Sequence, residues 1–132
     1  MKRVVLDASA LMIFLEDQRG AEKVEELITL AVAGKRQLLM SVVNWGEVYY
    51  SAWRMRGRQA ALKVKADIAQ LPVEVVNADF EVTQLAAELR AQHKLPYADA
   101  FGAALAKLRN ATVVTSDADF SVVKGQIPLL FI

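Results

Sequence analysis

The sequence contains no cysteine, one histidine and three prolines among 132 residues. Without thiols, a disulfide scaffold, a cysteine-ligated zinc site and a cysteine nucleophile are excluded together. The single imidazole, His93, lies beside Arg90 and Lys94 near the end of a helical pattern, where the helix dipole favours a surface histidine, and no catalytic role is read for it. Neither G-x-G-x-x-G nor G-x-x-x-x-G-K-[ST] occurs, which removes the common dinucleotide and nucleotide folds. No apolar run approaches the ~18 residues of a membrane span, because Asp7, Glu16 and Asp17 bracket the most hydrophobic segment. The apolar start, Val4-Val5-Leu6, falls short of the ~7–15 residues of a signal-peptide core, so a soluble cytoplasmic protein without membrane contact is expected. Excess charge is also lacking: 16 Lys+Arg against 15 Asp+Glu leave a net charge of +1. Any binding of nucleic acid must therefore come from local patches and not from bulk charge.

What is abundant is apolar material, 55% of residues against 23% charged, enough for one domain over residues 1–132 to bury a substantial core. Short aliphatic runs at Arg3–Leu6, Gln37–Val43, Val73–Val76, Thr112–Thr115 and Leu129–Ile132 have the composition of strands. Between them the apolar period becomes helical, as in Val24/Leu27/Ile28/Ala31, Val82/Leu85/Ala86/Leu89 and Phe101/Ala104/Leu105/Leu108. A further helical stretch opens near Asn44, breaks at Gly57 and resumes to about Gln70, before Pro72. The acidic segment Glu16–Glu26 reads as a solvated loop and a helix start. Near-continuous apolar strands alternating with helices predict an α/β fold, a doubly wound parallel sheet of about five strands flanked by helices. Functional residues in such a sheet collect beyond the carboxyl ends of the strands.

Acidic residues fall at that edge. Asp7 directly follows the first strand, Asp117 follows Thr115-Ser116, and Glu47 lies in the first turn of the helix opening near Asn44. Asp99 lies in the first turn of the helix after Pro96, although a right-handed crossover alone does not fix which edge that turn reaches. Each carboxylate alone is explained by helix capping, which is worth about 0.3–1 kcal/mol through the dipole. Together they are not, since two carboxylates ~4 Å apart repel by roughly 4 kcal/mol at an effective dielectric of 20. Converging carboxylates require a cation. An all-oxygen donor set suits Mg2+ or Mn2+, and the chemistry such an ion supports is hydrolysis of a phosphodiester.

Four segments carry a family resemblance: Val5-Leu6-Asp7-Ala8-Ser9-Ala10-Leu11, Val43-Asn44-Trp45-Gly46-Glu47-Val48, Leu95-Pro96-Tyr97-Ala98-Asp99-Ala100 and Thr115-Ser116-Asp117-Ala118-Asp119-Phe120. In this order they resemble PIN-domain ribonucleases and, more narrowly, VapC-type toxins, from Val4 to the C-terminus. The resemblance implies that Asp7, Glu47, Asp99 and Asp117 are the catalytic, metal-binding quartet for one or two Mg2+ or Mn2+ ions, supported by the hydroxyls of Ser9 and Thr115. It also implies endoribonuclease action on a structured RNA substrate, a cognate antitoxin protein as partner, and a homodimer. Asp119 reads either as a fifth ligand or as an Asx-type turn residue, and the turn is favoured because Asp fills turns readily.

Two other features have competing readings. Trp45, Tyr49 and Trp53, spaced i, i+4, i+8, form one helix face that is either a core or subunit contact, the favoured reading, or a stacking platform for RNA bases. Arg54, Arg56, Arg58, Lys63 and Lys65 form a basic cluster that is a solvated face, an RNA-backbone contact or the contact for an acidic partner. Among rival functions, a phospho-receiver would carry adjacent acids after the first strand, and an aspartate-nucleophile phosphatase a second acid two residues after Asp7, where Ser9 stands. The remaining alternative is a non-catalytic PIN-like scaffold that binds RNA or protein.

Overall fold

The computed structural model describes residues 2–132. The chain runs β1 (Arg3–Leu6), α1 (Ala8–Leu15), α2 (Ala21–Val32), β2 (Gln37–Ser41), α3 (Val42–Arg56), α4 (Arg58–Ala69), β3 (Val73–Val76), α5 (Phe80–Gln92), α6 (Tyr97–Arg109), β4 (Thr112–Thr115), a 3₁₀ turn (Ala118–Val123) and β5 (Leu129–Phe131). All five strands are parallel and lie in the order β3-β2-β1-β4-β5. The order reverses between β1 and β4: from β1 the chain first builds outward through β2 and β3, then returns to lay β4 on the other side. The crevice beyond the carboxyl ends of these two strands is the topological switch point.

The period of two along each strand sends alternate residues to opposite faces. Val5, Leu39 and Val113 pack against Leu89 of α5, Phe101 and Leu105 of α6, and Phe120 of the 3₁₀ turn. Val4, Leu6, Leu38, Met40 and Val114 pack on the other face, against Leu11, Val24, Leu27, Val48 and Ile68 of α1 to α4. Two apolar layers thus cover the sheet, which is why its strands read as continuous aliphatic runs. Among the described residues no helix is long and apolar enough to cross a membrane.

The structure departs from the expectations above at the end of β2 and at α1, and it decides the placement left open for Asp99. The second strand ends at Ser41, not Val43, because the Ser41 hydroxyl accepts the Val43 N–H at 3.2 Å and starts α3 two residues before Asn44. Glu47 consequently falls in the second turn of that helix, not the first. Helix α1, capped by Asp7, was not foreseen: its eight residues, ASALMIFL, have no polar face that would betray a helical period. Finally, α6 ends with Asn110 in the left-handed region at φ +52°, only two residues before β4 begins. Because β4 starts at the amino edge of the sheet, α6 must run antiparallel to it, and its first turn, with Asp99, lies at the carboxyl edge.

Candidate metal centre

The switch-point crevice is built around Asp7, which is 2% exposed. Its Oδ1 caps α1 by accepting the Ala10 N–H at 2.9 Å and also accepts the Ser9 hydroxyl at 2.8 Å. Its Oδ2 accepts the Thr115 hydroxyl at 2.5 Å. Each hydroxyl in turn accepts a backbone N–H from the segment after β4, Ser9 from Ser116 at 3.0 Å and Thr115 from Asp117 at 2.9 Å. With both hydrogens directed at Asp7, the 3.3 Å Ser9–Thr115 approach is a contact between two acceptors. The pair of hydroxyls therefore stitches the end of β1 to the end of β4 through one carboxylate. Oδ2 still has a lone pair free for a cation.

Asp117 caps the 3₁₀ turn, its Oδ1 accepting the Asp119 N–H at 2.9 Å. The Asx-type turn expected at Asp119 is thus made by Asp117, and the exposed Asp119 carboxylate is left available. One carboxylate oxygen from each of Asp99, Asp117 and Asp119 lies within 4.8 Å of the other two. Asp7 and Glu47 stand outside this trio but within electrostatic reach of it. Glu47 is half-buried, and its Oε1 accepts a hydrogen bond from Asn44 Nδ2 at 2.8 Å.

Like charge without a counterion raises carboxylate pKa values. Asp99 is pushed up to about 7, first by burial and then by the charges of Asp117, Asp7 and Glu47. Burial also raises Glu47, with Asp7 and Asp117 adding to it and the Asn44 hydrogen bond opposing. Asp7 is raised by burial and by Asp117, against the hydrogen bonds of Thr115, Ala10 and Ser9. Asp7, Glu47 and Asp99 therefore each feel the charge of Asp117. Asp99 Oδ2 is moreover buried without a hydrogen-bond partner, and α6 has no side-chain cap, so helix capping does not account for this carboxylate. An unpartnered buried oxygen on a residue whose carboxylate lies among other carboxylates fits a hard divalent cation, which prefers oxygen donors.

Replacing Thr115 by Val tests the stitching. The variant leaves Asp7 Oδ2 and the Asp117 N–H unpaired, so a loss of about 1–3 kcal/mol is expected in denaturant melts. Ser9→Ala should cost less, because Oδ1 retains the Ala10 N–H.

The residues that surround the centre are mixed in character. Trp45 stacks on Tyr49 with centroids 5.2 Å apart, and Tyr49 meets Trp53 edge-on at 6.1 Å. Trp45 packs on the core, whereas Trp53 is 44% exposed with the Arg58 guanidinium 5.8 Å above its ring. The aromatic face is therefore core at one end and surface at the other. Of the basic cluster, Lys63 pairs with Asp67 at 2.8 Å, and Arg56 and Lys63 line a groove of about 300 Å³ between α1, α3 and α4. A second, open pocket beside Asp119 is lined by Arg90, Lys94, Leu95 and Pro96. His93, beyond α5, contacts Gln126 at 2.9 Å. The buried Asn44 was not singled out from the sequence, since its partners beyond Glu47 lie on α6.

Several solved structures share this fold. The chain is similar to VapBC2 from Rickettsia felis bound to a promoter DNA fragment, with 16% identity, a TM-score of 0.76 and 97% of each chain covered. It is similar to the DNA-bound VapBC of Salmonella typhimurium, with 18% identity, a TM-score of 0.74 and 98% of each chain covered. VapC20 of Mycobacterium tuberculosis, a toxin that cleaves the sarcin-ricin loop, aligns with 19% identity and a TM-score of 0.69 over 89% of this chain and 92% of that one. At these identities the likeness is one of fold. No curated protein matches the sequence significantly. The PIN domain family model matches residues 4–126, which takes in both strands of the switch point and every carboxylate of the crevice, and the chain therefore belongs to the PIN-domain family.

Proposed function

We propose that this protein is a VapC-type toxin, a metal-dependent endoribonuclease that hydrolyses phosphodiester bonds in structured RNA. The observation that carries the reading is the orphaned Asp99 oxygen, buried among the charges of Asp7, Glu47 and Asp117 at the switch point of a PIN fold. Asp7, Glu47, Asp99 and Asp117 would hold Mg2+ or Mn2+, with the Asp119 carboxylate at the exposed rim. When bound, such an ion supplies charge neutralisation at the phosphate and a water acidic enough to attack near neutral pH. Ser9 and Thr115 aim Asp7 and oppose the rise in its pKa by donating to both of its oxygens. Asn44 orients Glu47. Asp99 would have to be deprotonated to hold the ion, so metal binding and proton binding would compete at this residue.

Arg90 and Lys94, which line the pocket beside Asp119, supply positive charge where an RNA backbone would pass, despite the near-zero net charge. The similarity to VapBC and VapC20 supports the toxin reading with a cognate antitoxin as partner, and we propose a homodimer as the assembly. The apolar floor of the groove between α1, α3 and α4, formed by Met12, Val48 and Ala52 and rimmed by Glu16, Arg56 and Lys63, is suited to an amphipathic antitoxin segment.

Purified protein incubated with a looped RNA is expected to cleave it with Mg2+ or Mn2+ and to stop when excess EDTA is added. Cleavage undiminished by exhaustive chelation would overturn the metal-dependent reading. RNA bound but never cut, with either metal, would favour the non-catalytic scaffold.

A further inference from the structure

We propose that Asn44 is a positioning residue that fixes Glu47 relative to Asp99, two proposed ligands of the divalent cation; this rests on the metal-site reading above. Asn44 lies in the first turn of α3 and is fully buried. Both hydrogens of its amide are used, one toward Glu47 Oε1 at 2.8 Å and the other toward the Ala98 carbonyl at 3.0 Å. Ala98 immediately precedes Asp99 in the first turn of α6. One planar amide therefore ties the side chain of one proposed ligand to the peptide that carries another, across two helices 54 residues apart in the chain.

The amide's orientation follows from chemistry. Turned over, its oxygen would face a carboxylate and a carbonyl, two acceptors with no hydrogen to share. In the orientation adopted, Oδ1 is buried with no hydrogen-bond partner and abuts Gly102, where an added Cβ would come within 3.0 Å of it. An unsatisfied buried carbonyl works against stability, so an apolar residue would serve packing better. The residue is explained by what its two hydrogens hold. Gly102 is explained by the same contact, since only a missing side chain lets α6 come this close to the amide.

Two variants and a metal titration test this. In Asn44→Leu the fold should persist, with a metal-free melting temperature close to that of the wild type. The Mn2+ concentration giving half of the thermal stabilisation should rise by about 10-fold or more, the usual consequence of losing a group that orients a ligand. Gly102→Ala keeps the amide but presses on its oxygen, and should raise the same concentration by a smaller factor, about threefold. KM for RNA at saturating Mn2+ should not change, because Asn44 does not face the substrate. A folded Asn44→Leu protein with wild-type Mn2+ half-saturation would overturn the inference. If Asn44→Leu does not fold, wild-type half-saturation in Gly102→Ala overturns it instead. A wild-type protein that gains no stability from Mn2+ defeats the metal-site reading and this inference together, whereas stabilisation preserved in both variants defeats the inference alone.

Discussion

Asp7→Asn is expected to fold and to cleave RNA at least about 100-fold more slowly than the wild type, since losing even a group that only orients a metal ligand costs about 10–100-fold. The amide can reproduce most of what Asp7 does structurally. Its oxygen still accepts from Ala10 N–H and Ser9. Its nitrogen would donate to Thr115 Oγ1, whose own hydrogen can turn to the Ser9 oxygen, already 3.3 Å away. What the amide cannot supply is negative charge. Asp7→Ala is the harsher change, because it also removes the cap of α1, worth about 1 kcal/mol, and leaves two hydroxyls without their acceptor. Comparing the two separates charge from architecture. In cells, inducing the wild-type gene should arrest growth and inducing Asp7→Asn should not. Equal arrest by both would show that toxicity has another source.

The second large effect is a coupling of stability to pH and metal through Asp99. Its folded-state pKa of about 7 lies above the ordinary 3.8, so between these values the folded state binds more protons than the unfolded state. Metal-free stability should therefore be greatest on the acid side of this window and decline as the pH rises through about 7. Asp7 and Glu47 are raised too and act in the same direction. In Asp99→Asn the decline should flatten, with a melting temperature at pH ~8 equal to or above that of the metal-free wild type. Mn2+ acts oppositely, because it competes with the proton, and its stabilisation should grow with pH across the same window. At a concentration about 100 times Kd it should reach about 2.7 kcal/mol, or roughly 8 °C for a domain of this size, and should mostly vanish in Asp99→Asn. Thermal melts in EDTA and in Mn2+ over this pH range provide the check. A pH-independent metal-free profile, or undiminished Mn2+ stabilisation in the variant, would remove Asp99 from the centre.

Much of this molecule is legible one residue at a time. Strands β1, β3 and β4 coincide with the runs Arg3–Leu6, Val73–Val76 and Thr112–Thr115; for the central β1 and β4 the reason is that a strand covered on both faces admits little but aliphatic side chains. The parallel, doubly wound architecture follows from strands alternating with amphipathic helices, and the positions of Asp7 and Asp117 follow from the strands they terminate. The choice between cap and ligand, by contrast, was posed too sharply. Asp7 and Asp117 cap helical turns with Oδ1 while sitting among the other carboxylates, because a strand that ends at the switch point starts its next turn there. The edge reached by Asp99 was also within reach of the sequence: the two residues between α6 and β4 leave the helix only one direction in which to run.

Three-dimensional proximity decided the rest. Helix α1 has no amphipathic signature because one side rests on the sheet and another meets α2 and α3, so apolar residues partly covered by these neighbours run all round it. Asp119 looks like a turn residue in the sequence, yet the backbone N–H it donates to Asp117 hands the turn to its neighbour and frees its carboxylate for the trio. Asn44 shows only half of its role locally, in the Glu47 partner one turn on. Its role depends on a carbonyl at Ala98 and an absent side chain at Gly102, more than 50 residues away, and hydrogen-bond partners brought together by helix packing leave no periodicity for a sequence to display.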